Sequence, residues 1–517
     1  MNNSPSIFND VIGPVMRGPS SSHTAASWRI ASICLAILNK PLKKAVIDFD
    51  KDGAWATNYL EQGSVLGING GLLGLDIVDD QMKYTEALAE ELGIEISYEV
   101  NSFPTTHANT IRLRLESIHS KKMQFIGIST GGGAFEVTKI NNFSVSVKGD
   151  YYEILIWSNC NIIPDYLEEI ISQNTKIAQS SDNDTYFTNI KSSNEIPNQI
   201  IEKLHNESYI NDFVIIDPIL PIVSGNESKN PYNSINALIE YANENDFDLG
   251  DIGLTYEKSR SMLSENHLNK KMKNIINIIE TSIKVGLAGT VYEDRILHQQ
   301  SHLVEAAEND GKILKTSIIN KIIANVTAIM ESKSAMEVIV ANPTAGSCGT
   351  IGGVLKAVAD DLNSTTEELV KAYFAAGIIG AFFAQGPGFS AEEYGCQVEC
   401  GAASGMAAAG IVQLMGGTAK QAIDAASMAI QTLIGMVCDP VADRVEVPCL
   451  GKNISAAMNA LSSATMACSG FDSVIPLDEV IQTVIRVGEE MPVCVKCSGL
   501  GGLSVTDTSI KLKESLK

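Results

Sequence analysis

Two groups of residues in this chain have the types and spacing that chemistry requires. The first is Gly13-Pro-Val-Met-Arg-Gly-Pro-Ser-Ser-Ser-His-Thr24, a tight turn followed by three hydroxyls, a histidine and a threonine at the entrance to a helix read over Ala25–Leu38. Backbone N–H groups at a helix start, with Ser and Thr hydroxyls beside them, cradle a carboxylate or phosphate. A helix cap explains one serine but not three with His23 next to them. The segment therefore reads as an anion-binding loop. A glycine cluster, Ser129-Thr-Gly-Gly-Gly133, lets backbone approach a ligand or simply turns between two strands. The second group is sulfur. Of ten cysteines, all but Cys34 and Cys160 fall after residue 340, which points to thiol chemistry in the C-terminal half. Cys396, Cys438 and Cys449 lie in Tyr394-Gly-Cys-Gln-Val-Glu399 and in the run from Val437 to Cys449. None of these pairs has the spacing of a zinc knuckle, and the single Cys-x-x-Cys, Cys494 to Cys497, lacks a partner pair. Each cysteine taken alone could equally fill a small volume in the core.

The elements that must position these groups follow from texture. A length of 517 residues suggests about three domains. Residues 1–145 mix helix and strand patterns, with Thr110 to Leu115 alternating like a strand, and read as an α+β unit. Residues 146–222 hold short strand-like runs, Phe143 to Val147 at their edge and then Tyr152 to Trp157, followed by a helix-like Tyr166 to Gln173. A small ferredoxin-like module fits them. Within it, Ser180 to Asn198 is rich in Ser, Asn and Asp and reads as a surface loop. Residues 223–260 read as a linker. From 261 to 517 the pattern is helical, and alanine- and glycine-rich stretches such as Gly401-Ala-Ala-Ser-Gly-Met-Ala-Ala-Ala-Gly410 let helices approach closely. The fold class expected is an α+β N-terminal region with a small module, followed by a mostly α-helical catalytic domain.

Composition narrows the partners. Acidic residues number 61 against 38 basic, a net charge of −23, which disfavours nucleic acid and anionic membrane surfaces. The first ten residues lack a basic and an apolar signal region, and no apolar stretch spans a bilayer, so a cytoplasmic protein with reduced thiols is expected.

At these residues the chain resembles the iron–sulfur-dependent bacterial L-serine dehydratases, or L-serine ammonia-lyases. Gly-Pro-Ser-Ser-Ser-His-Thr at 18 to 24, Ser-x-Gly-Gly-Gly at 129 to 133, Pro-Thr-Ala-Gly-Ser at 343 to 347 and Gly-Cys-Gln-x-Glu at 395 to 399 are similar to that family's landmarks, in the family's order. So are Cys-Asp-Pro-Val at 438 to 441, Val-Pro-Cys at 447 to 449 and Gly-Gly-Leu at 501 to 503. The resemblance leaves only about 175 to 235 uncovered, and it implies a β-type region fused to an α-type catalytic region. It further implies a [4Fe–4S] cluster on Cys396, Cys438 and Cys449, with one iron free of protein ligands to act as a Lewis acid on the β-hydroxyl. Cys400 is the reserve ligand. Three thiolates on one cubane must lie within roughly 7 Å of each other. A base removes the Cα proton, and the enamine released is hydrolysed to a 2-oxo acid and ammonia. By the same resemblance Ser20, Ser21, Ser22 and Thr24 bind the substrate, with Asn109, and His23 and His107 are the catalytic candidates. Residues 146–222 look like the ACT-like module of some β-type chains, with packing or dimerisation as its role, and the implied partners are a small amino-acid substrate and a second copy of the chain.

The chain also departs from the family pattern. Where Gly-His-Gly-Thr-Asp is usual, it has Glu61-Gln-Gly-Ser-Val65; His-Pro-Asn is His107-Ala-Asn109; and Asp443-Arg444 replaces a Gly-Leu pair. Two polar groups are gone and a charge pair is gained, so three readings stand: a lyase for L-serine, a lyase for an acidic or otherwise substituted relative with Arg444 as a binding residue, or a catalytically altered or regulatory paralogue. Asp443 or Glu446 could instead neutralise Arg444.

Overall fold

Apolar residues at helical spacing, Ile30, Ile33 and Ile37, drive the helix Ala26–Leu38, and Asn39 ends it in the left-handed region by donating its N–H back to the Leu35 carbonyl. The computed structural model describes residues 4–516 except 168–175, 183, 226–231, 233, 262, 293 and 294. The helix lies on a six-stranded sheet built from β2 (Leu42–Asp50), β3 (Glu95–Asn101), β4 (Thr110–Ser117), β5 (Lys122–Gly131), β6 (Ala134–Ile140) and β7 (Phe143–Val147), in the order β3-β2-β4-β5-β6-β7. Only β2 and β3 pair in parallel. Ile47, Phe49, Leu113 and Phe125 fill the core beneath the helix.

The smaller sheet has four antiparallel strands: β8 (Tyr152–Ser158), β9 (Lys176–Asp182), β10 (Thr185–Ser192) and β11 (Ile210–Ile216). Their order, β11-β8-β10-β9, is that of a ferredoxin-like module, and the helix Asn198–His205 crosses between the last two strands in sequence. Alternation along β8 sends Ile154 and Ile156 to the helix-covered face and Leu155 and Trp157 into the core of the larger sheet. The expected loop over Ser180 to Asn198 is not one. Its first part forms the β9–β10 hairpin and its remainder leads into the helix, because Thr185-Tyr-Phe-Thr-Asn-Ile190 presents buried Phe187 and Ile190 between polar neighbours. The helix read over Tyr166 to Gln173 lies, from 168 onward, outside the described residues.

The remainder is mostly helical. The helix Cys400–Leu414 is buried along most of its length among Thr366–Gln385, Ala419–Gln431 and Cys449–Cys468. Its small residues are what permit this: a Cβ on Gly405 would lie 2.6 Å from the Ile430 side chain. The segment read as a linker, 223–260, carries the helix Ile235–Asn245 and most of Leu249–Ser261, both anchored in this core through Leu238, Leu249, Ile252 and Tyr256. The first turn of the chain also belongs here. Ile7, Phe8 and Val11 are buried against the helix Thr366–Gln385, and β1 (Val15–Met16) pairs with β12 (Ile339–Val340). That pairing delivers the Ser-rich loop to the helical region.

Candidate active site and thiol cluster

The loop after β1 closes on itself before the helix begins. The Ser20 carbonyl accepts from the Thr24 N–H at 2.7 Å, and the Ser20 hydroxyl oxygen from the His23 N–H at 3.3 Å. His23 is fully buried. Its Nε2 is 2.9 Å from Asn58 Oδ1, and Asn58 Nδ2 donates to the Cys497 carbonyl at 3.4 Å, which orients the amide and makes Nε2 the protonated ring nitrogen. Nδ1 then carries the lone pair. It faces the Ser20 hydroxyl at 3.2 Å, the Ser22 hydroxyl at 3.1 Å and Glu392 Oε1 at 3.6 Å. Burial lowers the His23 pKa from its usual value, outweighing the opposing pull of Glu392 and Asn58. Glu392 is held by the Ser22 and Ser390 hydroxyls at 2.9 and 3.0 Å. Of the hydroxyls expected to cradle an external anion, that of Ser22 thus meets a carboxylate of the protein.

The other loop residues divide. Ser21 Oγ accepts the Ala345 N–H at 3.2 Å, which ties the loop to the Asn342–Thr344 turn. Thr24 gives its hydroxyl to the Gln62 carbonyl and packs under Gly18 and Gly63, a positioning contact. The glycine cluster turns between β5 and β6, and a Cβ on Gly131 would stand 2.5 Å from the Ser390 nitrogen. Its freedom serves the approach of the sheet to the segment carrying Glu392.

His107 lies farther out. Its Nδ1 accepts the Asn109 N–H at 3.0 Å, and its Nε2 is 3.4 Å from Glu393 Oε1. Asn109 is completely buried, yet neither its Oδ1 nor its Nδ2 has a partner among the described residues; the same is true of Asn342. A buried amide without partners is costly unless something binds it.

Two of the three expected thiols come together with a carboxylate. Cys396, Cys438 and Glu399 offer ligand atoms within 4.8 Å of one another. Cys449, first residue of its helix, is buried, and its thiol is pushed up to about 12 by burial and then by the nearby Cys396. Cys497, absent from the expected set, joins them: its N–H donates to the Cys438 carbonyl at 2.9 Å, and it packs with Cys396 and Cys438. Gln62 Nε2 donates to its sulfur at 3.6 Å. Cys400, the reserve candidate, accepts from the Asn453 amide at 3.8 Å, and its thiol is pushed up by burial and then by the nearby Cys396, Glu399 and Cys449. Lys452 donates to Asp439 at 2.8 Å; burial lowers its pKa, but the sulfurs of Cys396 and Cys438 outweigh that and raise it. All ten cysteines are free. Cys438 and Cys449, whose ionisation is opposed by burial and by neighbouring thiols, stand with Cys396 and a carboxylate as residues that could hold a metal group, whose positive charge would relieve that opposition.

Of the altered positions, Gln62 is buried against the Cys497 sulfur. Val65 and Arg444 line one cavity of about 700 Å3. Asp443 pairs with Lys513, and Glu446 accepts the backbone N–H groups of Ile296 and Leu297 at 3.2 and 3.1 Å. Glu392, Asn58 and Cys497 escaped the sequence reading because a lone acid, amide or thiol far away in the chain has no local pattern; only Cys497, between Cys494 and the Gly-Gly-Leu landmark, offered a signal.

Sequence comparison is consistent with this geometry, a buried histidine–carboxylate pair beside a thiol cluster, the kind of site a lyase uses. The family model for the serine dehydratase alpha chain matches residues 166–504, including the polar middle that motif resemblance left uncovered. The probable L-serine dehydratase alpha chain of Bacillus subtilis (strain 168) is 34% identical over 285 residues, 55% of this chain and 95% of that protein. The L-serine dehydratase alpha chain of Peptoniphilus asaccharolyticus is 33% identical over 282 residues, 54% of this chain and 97% of that protein. A probable beta chain from the same Bacillus strain is 36% identical over 154 residues, 30% of this chain and 68% of that protein. The chain belongs to the serine dehydratase alpha chain family and carries beta-type and alpha-type regions fused in one polypeptide.

Proposed function

We propose that the protein is a lyase that converts L-serine to a 2-oxo acid and ammonia, using an iron–sulfur cluster held by Cys396, Cys438 and Cys449 with Cys497 at its edge. The observation that carries this reading is the link between base and sulfur: His23 Nε2 meets Asn58, and Asn58 meets the carbonyl of Cys497. When bound, such a cluster supplies a Lewis-acid iron for the departing β-hydroxyl. The orphaned amides of Asn109 and Asn342 bind the substrate's polar groups and hold its Cα toward His23. Neutral Nδ1 takes the Cα proton in place of a serine hydroxyl, the C–H pair becomes the Cα–Cβ double bond, and hydroxide leaves Cβ. Glu392 stabilises the imidazolium, and Asn58 keeps the ring in place. The enamine tautomerises, and water completes the hydrolysis.

The test is anaerobic reconstitution with iron and sulfide, followed by 2-oxo acid release from L-serine. Turnover is expected, with kcat in Glu392→Gln reduced by roughly a hundredfold, the scale of a lost acid–base partner. No release from the wild-type chain would favour a regulatory paralogue.

One observation supports a second reading. Arg444 and Val65 share a cavity wall, and a cation facing a site from which an aspartate has been removed suits a substrate with a second acidic group. In that case Arg444→Leu depresses activity on an acidic β-hydroxy amino acid and spares L-serine. Residues 146–222 we read as an ACT-like module serving packing or dimerisation of a homodimer, and the ten free cysteines favour a reducing, cytoplasmic setting.

A further inference from the structure

Lys333 has no part in the reaction above, yet its placement is costly. It stands in the last turn of the helix Ser317–Ser334, its side chain is fully buried, and its Nζ has a single acceptor among the described residues, the carbonyl of Val445. No carboxylate of the described residues pairs with it. An ammonium taken out of water without a counter-charge is among the least favourable arrangements in a protein interior. The end of its own helix offers partial charge at most.

What surrounds it is sulfur. Val445 lies in the loop between Cys438 and Cys449, and the helix Ser317–Ser334 packs against the helix that Cys449 opens. Burial and then Cys396 oppose ionisation of the Cys449 thiol, and Lys333 is the foremost of the charges that favour its thiolate. Burial likewise pushes the Cys348 thiol up to about 12, and Lys333 opposes it there as well. The other lysine acting on Cys449, Lys452, is already committed: it donates to Asp439 at 2.8 Å and to the Val437 carbonyl at 2.7 Å. Of the two, Lys333 keeps a charge that no carboxylate answers.

We propose that Lys333 is the counter-charge of the metal group, a positioning residue that helps to retain a net-negative iron–sulfur cluster on Cys396, Cys438 and Cys449 and favours its reduced form. The inference rests on the cluster reading given above. Three thiolates on a doubly positive [4Fe–4S] core leave one net negative charge, and reduction by one electron adds a second. A buried ammonium beside them therefore stabilises the loaded site, and the reduced cluster more than the oxidised one. With the site empty the same charge has no partner, so Lys333 costs the metal-free chain stability that loading returns.

Lys333→Met, uncharged and of similar volume, separates a counter-charge from a mere tie to the loop. Expected in the metal-free full-length chain is a thermal midpoint equal to that of the wild type or higher. After anaerobic reconstitution with iron and sulfide, a chelator should strip iron from the variant about tenfold faster or more, the scale of one unit charge at the effective dielectric of a protein interior. A redox titration followed by electron paramagnetic resonance should put its reduction potential below the wild-type value. Lys333→Gln, which keeps a donor for the Val445 carbonyl, should behave alike, and it decides the matter if Lys333→Met does not fold. Iron retention and potential equal to the wild type in the neutral variant would overturn the counter-charge and leave the cluster standing. A metal-free Lys333→Gln chain less stable than the wild type would also overturn it, marking a structural lysine. Wild-type protein that takes up no iron would remove the cluster reading itself and this proposal with it.

Discussion

At the scale of single residues, the proposed site includes two buried amides without hydrogen-bond partners among the described residues. Asn109 is the sharpest case: a buried amide with two orphaned ends costs stability in the free protein. Asn109→Leu should therefore leave the thermal midpoint unchanged or raise stability by about 1–3 kcal/mol, while 2-oxo acid release collapses. A purely structural asparagine would lose stability instead. His23 makes a second prediction. Burial lowers its pKa from the ordinary value of 6.5, so as the proposed base it stays unprotonated until the pH falls below that value. The acid limb of the kcat/KM profile should lie below pH 6.5, and Asn58→Ala, which removes the partner of Nε2, should move it further down. The Ser20–His23 run was legible because its residue types are locally unusual, whereas Cys396, Cys438 and Cys449 were singled out by their resemblance to a family's motifs and not by their spacing. Glu392 was not, since its meaning comes only from a fold that sets it 370 residues away in sequence from the serine it touches.

Elements tell a similar story about what periodicity conveys. Helices such as Ala26–Leu38 and the glycine–alanine segments were readable because apolar spacing and lack of bulk are properties of the sequence itself. The β9–β10 hairpin was hidden by polar residues on its open face, and the helices within 223–260 by a composition that mixes Asn and Asp with the apolar anchors. Small residues at helix contacts carry measurable weight. A Cβ on Gly286 would lie 2.1 Å from the Ala328 carbonyl oxygen, so Gly286→Ala should force apart the helices Glu265–Ala288 and Ser317–Ser334 and destabilise by about 1–3 kcal/mol in denaturant unfolding. In the small sheet, burial, opposed by Lys191 and Asn189, pushes Glu153 up to about 7 from an ordinary 4.5. The folded chain then holds this proton more tightly than the unfolded one. Its contribution is intact below pH 4.5 and is lost as the pH rises to about 7, by up to roughly 3 kcal/mol. Comparison of wild type with Glu153→Gln between those two pH values should show that slope only in the wild type.

On the scale of the whole molecule, the fused regions share cores instead of merely sitting side by side. The first turn of the chain is buried in the helical region, one face of the small sheet completes the core of the large one, and the active-site loop is strung between β1 and the helix Ala26–Leu38. The proposed base and the thiols therefore come from opposite ends of the chain, His23 from the beta-type region and Cys396, Cys438, Cys449 and Cys497 from the alpha-type region. If their union makes the catalyst, activity must follow the metal group that the thiols hold. The decisive measurement is L-serine turnover as a function of iron bound per chain during anaerobic reconstitution. The expected result is turnover that rises in proportion to iron, levels off near about four irons per chain and is absent at every loading in Cys438→Ala. Turnover by iron-free protein, or turnover in Cys438→Ala equal to the wild type, would contradict the role given to the thiol cluster.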